Sequence, residues 1–163
     1  EHRRQRQMCI RDRIKSAAPI GAMITFVGLF SGSIWGIPTW GTWWQWDARI
    51  TSTLILFIMY MGILTLHGSF SNLEKADRLM SILVVIGVVN IPIIKKSVDW
   101  WSTLHQPASI SVSGNTSIDP SMLYPLFISV IGLGFTLIAL GILSSRSYIL
   151  TREKNKKWAL ENV

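Results

Sequence analysis

Four long apolar blocks without a charged residue constrain the fold of this 163-residue chain more than any other feature. They cover residues 17–37, 51–66, 79–94 and 123–143. An α-helix needs about 20 apolar residues to cross the hydrocarbon core of a bilayer, and the helices of soluble domains carry a polar face that these blocks lack. The sequence therefore predicts an all-α integral membrane protein with a bundle of four transmembrane helices.

The basic residues lie near the ends of these blocks and predict the orientation of the helices. Five lysines and arginines follow the last block, in residues 146–163. Because cytoplasmic segments of membrane proteins are enriched in Lys and Arg, we expect a basic cytoplasmic tail there. Counting back places segment 35–50 and loop 95–122 on the outer side. The net charge of +7 therefore reflects the orientation of the helices in the membrane. We expect the protein to contact the lipid bilayer and not to bind nucleic acid.

Residues 1–13 differ from the rest of the chain, with five arginines and no apolar run. Residues 8–13, Met-Cys-Ile-Arg-Asp-Arg, resemble a translated sequencing adapter. We therefore expect a non-native or disordered basic head, followed by a four-span membrane domain over residues 14–145, with native sequence missing before it. The single cysteine, Cys9, excludes a disulfide within the chain.

Five of the eight tryptophans lie within residues 35–46, and an acid and a base follow them directly. Pro38 predicts the end of the first span, because proline disfavours a continuing helix. If the stretch after it is helical, Trp40, Trp43, Trp44 and Asp47 share one face. Indoles suit either a membrane interface or the face of a planar ligand. An interface belt marks both surfaces, whereas seven of the eight tryptophans here lie on the outer side, which favours a binding platform.

A second aromatic group follows Pro92, which predicts a kink or the end of the third span. It lies in V-D-W-W-S-T-L-H-Q-P, residues 98–107. Asp99 predicts the cap of a short helix that carries Trp101 and His105 on one side. His105 is the only histidine on the outer side, and imidazole is a strong axial ligand of haem iron. The residues alone do not decide whether His105 is a haem ligand or an ordinary surface histidine.

The two aromatic motifs resemble the haem-handling membrane proteins of cytochrome c maturation. W-G-I-P-T-W-G-T-W-W-Q-W-D-A-R-I-T is similar to the tryptophan-rich signature of that family, and residues 98–107 are similar to its second outer loop, most of all in the haem exporter protein C branch. The resemblance covers nearly all of residues 14–143. Members of the family have six spans, so the resemblance implies an N-terminally truncated chain that lacks the other axial histidine.

The resemblance also implies a function. Such a protein is not an enzyme; it presents haem b at the periplasmic face of the bacterial inner membrane for transfer to a periplasmic haem chaperone. The implied partners are ATP-binding-cassette transporter subunits and a small membrane subunit. His105 would be an axial ligand of the haem iron. The implied haem platform consists of Trp40, Trp43, Trp44, Trp46, Asp47, Trp100 and Trp101.

Two alternatives remain beside this function. The haem-lyase branch of the family shares the tryptophan signature, although the short loops and the second motif argue against it. The chain could also be a structural subunit of a membrane transporter without a ligand of its own. No phosphate-binding motif is present, which argues against an ATPase.

Reporter fusions test the predicted orientation. A fusion at residue 110 should report a periplasmic location, and fusions at residues 72 and 155 a cytoplasmic one, because the basic residues cluster beside the latter two positions. The opposite pattern would place both tryptophan segments in the cytoplasm and contradict the proposed outer platform.

Overall fold

The computed structural model describes residues 2–69, 73–101, 103–106 and 118–153. They form four α-helices, and no strand occurs among them. The helices are α1 (His2–Trp40), α2 (Ala48–Ser69), α3 (Leu73–Trp100) and α4 (Pro120–Glu153). The expected basic head lies in the first turns of α1, and its non-native origin stays a prediction. Residues 102 and 107–117 of the predicted outer loop and residues 154–163 of the predicted tail lie outside the described residues.

Each helix contains a stretch that is long and apolar enough to cross a membrane. The stretches are Asp12–Trp40, Ala48–Leu66, Lys75–Trp100 and Pro120–Thr151. The predicted all-α membrane protein with four spanning helices is therefore confirmed. All four stretches are longer than the apolar blocks that predicted them, because polar residues at the ends continue the helices.

The predicted helix end at Pro38 was wrong, and of the two outcomes predicted for Pro92, a kink or the end of the span, the end does not occur. Pro38 lies inside α1 and Pro92 inside α3, and both helices continue beyond them, to Trp40 and Trp100. Proline removes only one backbone donor, and membrane helices tolerate it where neighbouring groups satisfy the carbonyl that is set free. Proline was therefore a weaker stop signal here than it is in a soluble helix.

The helices pack in the order α4, α1, α2, α3, with contacts between each neighbouring pair. The interior contains small and polar side chains, and Ala18 and Ala76 are buried beside Met80 and Ile63. Large apolar side chains such as Phe135 and Val85 point outward. This distribution is typical of membrane bundles, in which small residues allow close helix contact and lipid surrounds the apolar exterior.

Polar contacts join the helices at two depths. The Ser16 and Ser145 hydroxyls lie 2.9 Å apart, and the Ser144 hydroxyl donates to the Ser16 carbonyl at 3.2 Å, joining the start of α1 to the end of α4. Towards the opposite end, the buried Asn90 amide of α3 donates to the Ser52 carbonyl of α2 at 2.8 Å. Both contacts pair the beginning of one helix with the later part of another, so the pairs are antiparallel.

At Gly21, α1 packs closely against Tyr60 of α2. A Cβ atom at this position would lie 2.5 Å from Cζ of Tyr60, whereas a Cβ at Gly28, two turns further along α1, would meet no atom within 4 Å. Gly21→Leu should therefore destabilise the bundle by about 1–3 kcal/mol more than Gly28→Leu, since overpacking forces neighbouring side chains to move.

Circular dichroism during denaturation of the two variants in detergent measures this difference. Both substitutions change helix propensity equally, so Gly28→Leu is a matched control. Equal stabilities would contradict the packing of Gly21 against Tyr60.

Candidate functional site

The connection between α1 and α2 positions the tryptophan signature. Gly41 has a φ of +75°, and its N–H donates to the Ile37 carbonyl at 3.0 Å, which ends α1 in a left-handed glycine cap. Residues 41–47 then form no helix. The predicted shared helical face of Trp40, Trp43, Trp44 and Asp47 is therefore wrong, because the sequence contains its own stop signal at Gly41.

Asp47 begins α2. Its Oδ1 accepts a hydrogen bond from the Arg49 N–H at 2.8 Å, and its carbonyl accepts from the Thr51 N–H at 2.9 Å. This is the arrangement of an N-cap residue, whose side chain satisfies a backbone donor that the first turn leaves free. One carboxylate oxygen is thereby committed to the helix.

The other carboxylate oxygen of Asp47 contacts the segment that follows α3. Oδ2 accepts from the Leu104 N–H at 3.1 Å and lies 3.1 Å from Nδ1 of His105. These partners are 57 and 58 residues away in the chain. The structure thus joins the two aromatic segments through one side chain, a contact that the sequence analysis did not predict.

The predicted short helix with Asp99 as its cap is absent. Asp99 belongs to the last turn of α3 and pairs with Lys96 at 3.0 Å, with both side chains exposed. Residues 103–106 are not helical, and Trp101 and His105 therefore do not share a helical face. Asp47 of the first segment, rather than Asp99 of the second, binds the backbone near His105.

Asp47 is only 7% exposed, and its surroundings favour the ionised form. Burial raises the pKa of the carboxyl, but hydrogen bonds from the Arg49 N–H, the His105 ring and the Leu104 N–H outweigh burial and lower the pKa below its ordinary value of 3.8. Asp47 is therefore a carboxylate at neutral pH and acts only as an acceptor.

The imidazole of His105 is held from a second direction by Trp40. The two ring centroids are 4.7 Å apart with an interplanar angle of 67°, an edge-to-face contact. Trp40 in turn packs edge-to-face on Trp35 at 5.4 Å. Within the part of the chain that is described, Nε2 of His105 has no hydrogen-bond partner. The ring is thus fixed through Nδ1 and one edge, and Nε2 is free.

The other predicted platform tryptophans form two groups. Trp44 lies between Trp43 and Trp46, at centroid distances of 6.0 and 5.6 Å. Trp100 and Trp101 form an edge-to-face pair at 6.0 Å, and no ring contact connects them to the first group. Four of these five rings are between 53% and 74% exposed, and Trp44 alone is half-buried. The exposed indoles offer apolar area to a ligand.

The indole nitrogen of Trp44 is a buried donor without a partner among the described residues. An unpaired buried polar group costs free energy, and each such group calls for an explanation such as a ligand. No group of three or more His, Cys, Asp or Glu that could hold a metal ion occurs in the described part.

The sequence analysis named Asp47 and His105 as candidates but did not predict the contact between them. They lie 58 positions apart in the chain, and no local pattern pairs them. Trp35, which supports Trp40, lay in the quoted motif and was not proposed as a site residue. The site roles of all predicted residues stay predictions at this point.

The fold and these residues define a multi-pass α-helical membrane protein with a cluster of indoles and one imidazole beyond the helix ends. The model of the family described as heme exporter protein C matches residues 6–160. The chain therefore belongs to the heme exporter protein C family, as its motifs predicted.

Relatives agree with this assignment. The chain is 49% identical over 138 residues to "Heme exporter protein C" of Bradyrhizobium diazoefficiens, covering 85% of this chain and 52% of the relative. It is 47% identical over 150 residues to the protein of that name from Escherichia coli strain K12, covering 92% and 60%. The Haemophilus influenzae protein is 45% identical over 141 residues, covering 86% and 57%. The chain thus spans little more than half the length of these relatives.

Proposed function

We propose that this protein handles haem in cytochrome c maturation, presenting haem b at the outer face of the bacterial inner membrane for transfer to a periplasmic haem chaperone. The observation that carries the proposal is the His105 imidazole, held through Nδ1 by a buried carboxylate and flanked by exposed indoles. Family membership supports haem as the cargo, since relatives are named for its export.

The imidazole supports this proposal through its free nitrogen. Histidine is a common axial ligand of haem iron, and ligating histidines usually donate their other ring N–H to a carboxylate or carbonyl. Asp47 provides that carboxylate at 3.1 Å. The side chain of His105 is 21% exposed, so the ring is partly accessible to a ligand.

The tryptophans support it through their exposed area. Trp43, Trp46, Trp100 and Trp101 are large apolar side chains outside the spanning stretches or at their ends, where a porphyrin could cover them. Burying an indole face against a flat ring removes apolar surface from water and adds favourable ring contacts. The unpaired Trp44 N–H is a donor that a haem carboxylate could satisfy.

The partners of this function follow from the family. We propose that ATP-binding-cassette transporter subunits and a small membrane subunit assemble with the bundle, whose large apolar side chains are exposed along all four helices. The second axial ligand and further walls of the site belong to the part of the relatives that this chain does not span. The C-terminus is proposed to be cytoplasmic.

The assignment of His105 predicts a specific chemical rescue. His105→Ala in the full-length protein should lose haem or change its absorbance spectrum, and added imidazole should restore binding, because it occupies the coordination position that the variant leaves open. Absorbance of the purified protein measures both effects. His67→Ala is the matched control, and its spectrum should not change.

An unchanged spectrum in His105→Ala would refute the assignment. The axial ligands would then have to lie in the part of the protein that this chain does not span.

The platform predicts additive losses from the exposed indoles. Trp43→Ala combined with Trp46→Ala should weaken haem binding roughly 30-fold, since about 1 kcal/mol of ring contact is lost at each position. Trp158→Ala, which removes an indole from the predicted cytoplasmic tail, is the control. Haem titration followed by tryptophan fluorescence measures the affinities, and phenylalanine at both positions should restore part of the loss.

Equal affinities for the double variant and the Trp158→Ala control would mean that the indoles anchor the protein at the membrane interface. The platform would then be wrong.

A further inference from the structure

The hydrogen bonds around Asp47 determine where the proton of His105 lies. A carboxylate has no proton to donate, and Oδ2 already accepts from the Leu104 N–H at 3.1 Å. The Nδ1 atom lies 3.1 Å from the same oxygen. Without a hydrogen between them, the lone pairs of Nδ1 and Oδ2 would repel each other at this distance. Nδ1 therefore carries the hydrogen. In the neutral ring, Nε2 then holds the lone pair.

The carboxylate cannot rotate away from this arrangement. Oδ1 caps α2 through the Arg49 N–H, so any rotation that breaks the contact with His105 also uncaps the helix. The side chain is 3% exposed, which leaves no room for water to replace a lost partner. Trp40 packs against the imidazole and opposes rotation of that ring.

We propose that Asp47 is a positioning residue that holds His105 in the tautomer with its proton on Nδ1, so that Nε2 presents a lone pair to the haem iron. The role of iron in this proposal rests on the proposed function. The tautomer does not, because it can be observed in the haem-free protein. Asp47 in this role touches the ligand residue and not the haem.

Replacing the carboxylate by an amide separates this role from a purely structural one. In Asp47→Asn, the amide oxygen can keep the cap on Arg49, but its NH₂ group then faces the Leu104 N–H and Nδ1. Nδ1 can meet that donor only as an acceptor, which moves the ring proton to Nε2. The same exchange of carboxylate for amide beside the histidine of serine proteases leaves the geometry intact and selects the wrong tautomer.

Nitrogen NMR of the full-length, haem-free protein with ¹⁵N-labelled histidine tests the proposal. The signal of His105, identified by its loss in His105→Ala, should show a protonated Nδ1 and an unprotonated Nε2 at a pH where the ring is neutral. In Asp47→Asn the pattern should reverse. Asp99→Asn, the same change at an exposed acid of α3, should leave the pattern as it is.

The haem affinity and the reduction potential of the haem-loaded protein provide a second test. Asp47→Asn should lower haem affinity about 10- to 100-fold, as the loss of a partner of a ligating histidine typically does. The reduction potential of the remaining bound haem should rise, because the ligand loses its contact with an anion and donates less electron density. Asp99→Asn should change neither the affinity nor the potential.

Two results would overturn the proposal. One is a native His105 with its proton on Nε2, which the unsubstituted protein reveals even if the Asn variant fails to fold. The other is a folded Asp47→Asn protein whose tautomer is unchanged. Neither depends on haem, so a failure of the proposed function, seen as haem retained with an unchanged spectrum in His105→Ala, is distinguishable from a failure of this inference.

Discussion

The arrangement at the tryptophan-rich end depends on one buried carboxylate. Asp47 accepts hydrogen bonds from the first turn of α2 and from the backbone next to His105, and it contacts the imidazole itself. A buried charge is costly to remove from water unless it is fully hydrogen-bonded, and here three donors compensate. The same bonds that make the burial of Asp47 possible also join two segments that are far apart in the chain. The side chain that caps α2 is therefore also the one that joins the two distant segments of the site.

The membrane explains why the rest of the bundle can be built from so few specific contacts. Lipid replaces water around the helices, so burial of large apolar side chains between helices brings little gain, and they point outward instead. Small residues and single hydrogen bonds, such as Asn90 to the Ser52 carbonyl, then determine how the helices pair. The bonds of Asn90 and Ser16 lie towards opposite ends of the helices and make α2 with α3, and α1 with α4, antiparallel pairs. That scaffold brings the end of α3 beside the start of α2, where Asp47 can reach Leu104.

The fold class was easier to predict from the sequence than the geometry of the candidate site. Charge-free blocks are a direct signal of membrane helices, so all four spans were found. Helix ends were less predictable: Pro38 read as a stop and Pro92 as a kink or a stop, whereas α1 ends at Gly41, which has a left-handed backbone. Asp99 was predicted as a cap and Asp47 was not, because capping propensity depends on residue type and does not show where a helix begins. The pairing of Asp47 with His105 depends on how α2 and α3 pack, which no local pattern encodes.

The tryptophans divide into two kinds of role once their surroundings are known. Trp40 and Trp44 are half-buried and pack against other rings of the site, Trp40 against His105 itself. The more exposed rings keep their apolar faces available, and covering them with a planar ligand would remove apolar surface from water. The proposed function, in which haem is held in order to be given away, needs this combination: a rigid ligand residue that selects iron, and an open aromatic surface that binds the porphyrin without enclosing it. An enclosed pocket would add affinity, but each added contact would also have to break before haem could leave. The open indole surface therefore supports the proposed transfer of haem, and in that proposal the rigid Asp47–His105–Trp40 group provides the selectivity that an open surface lacks.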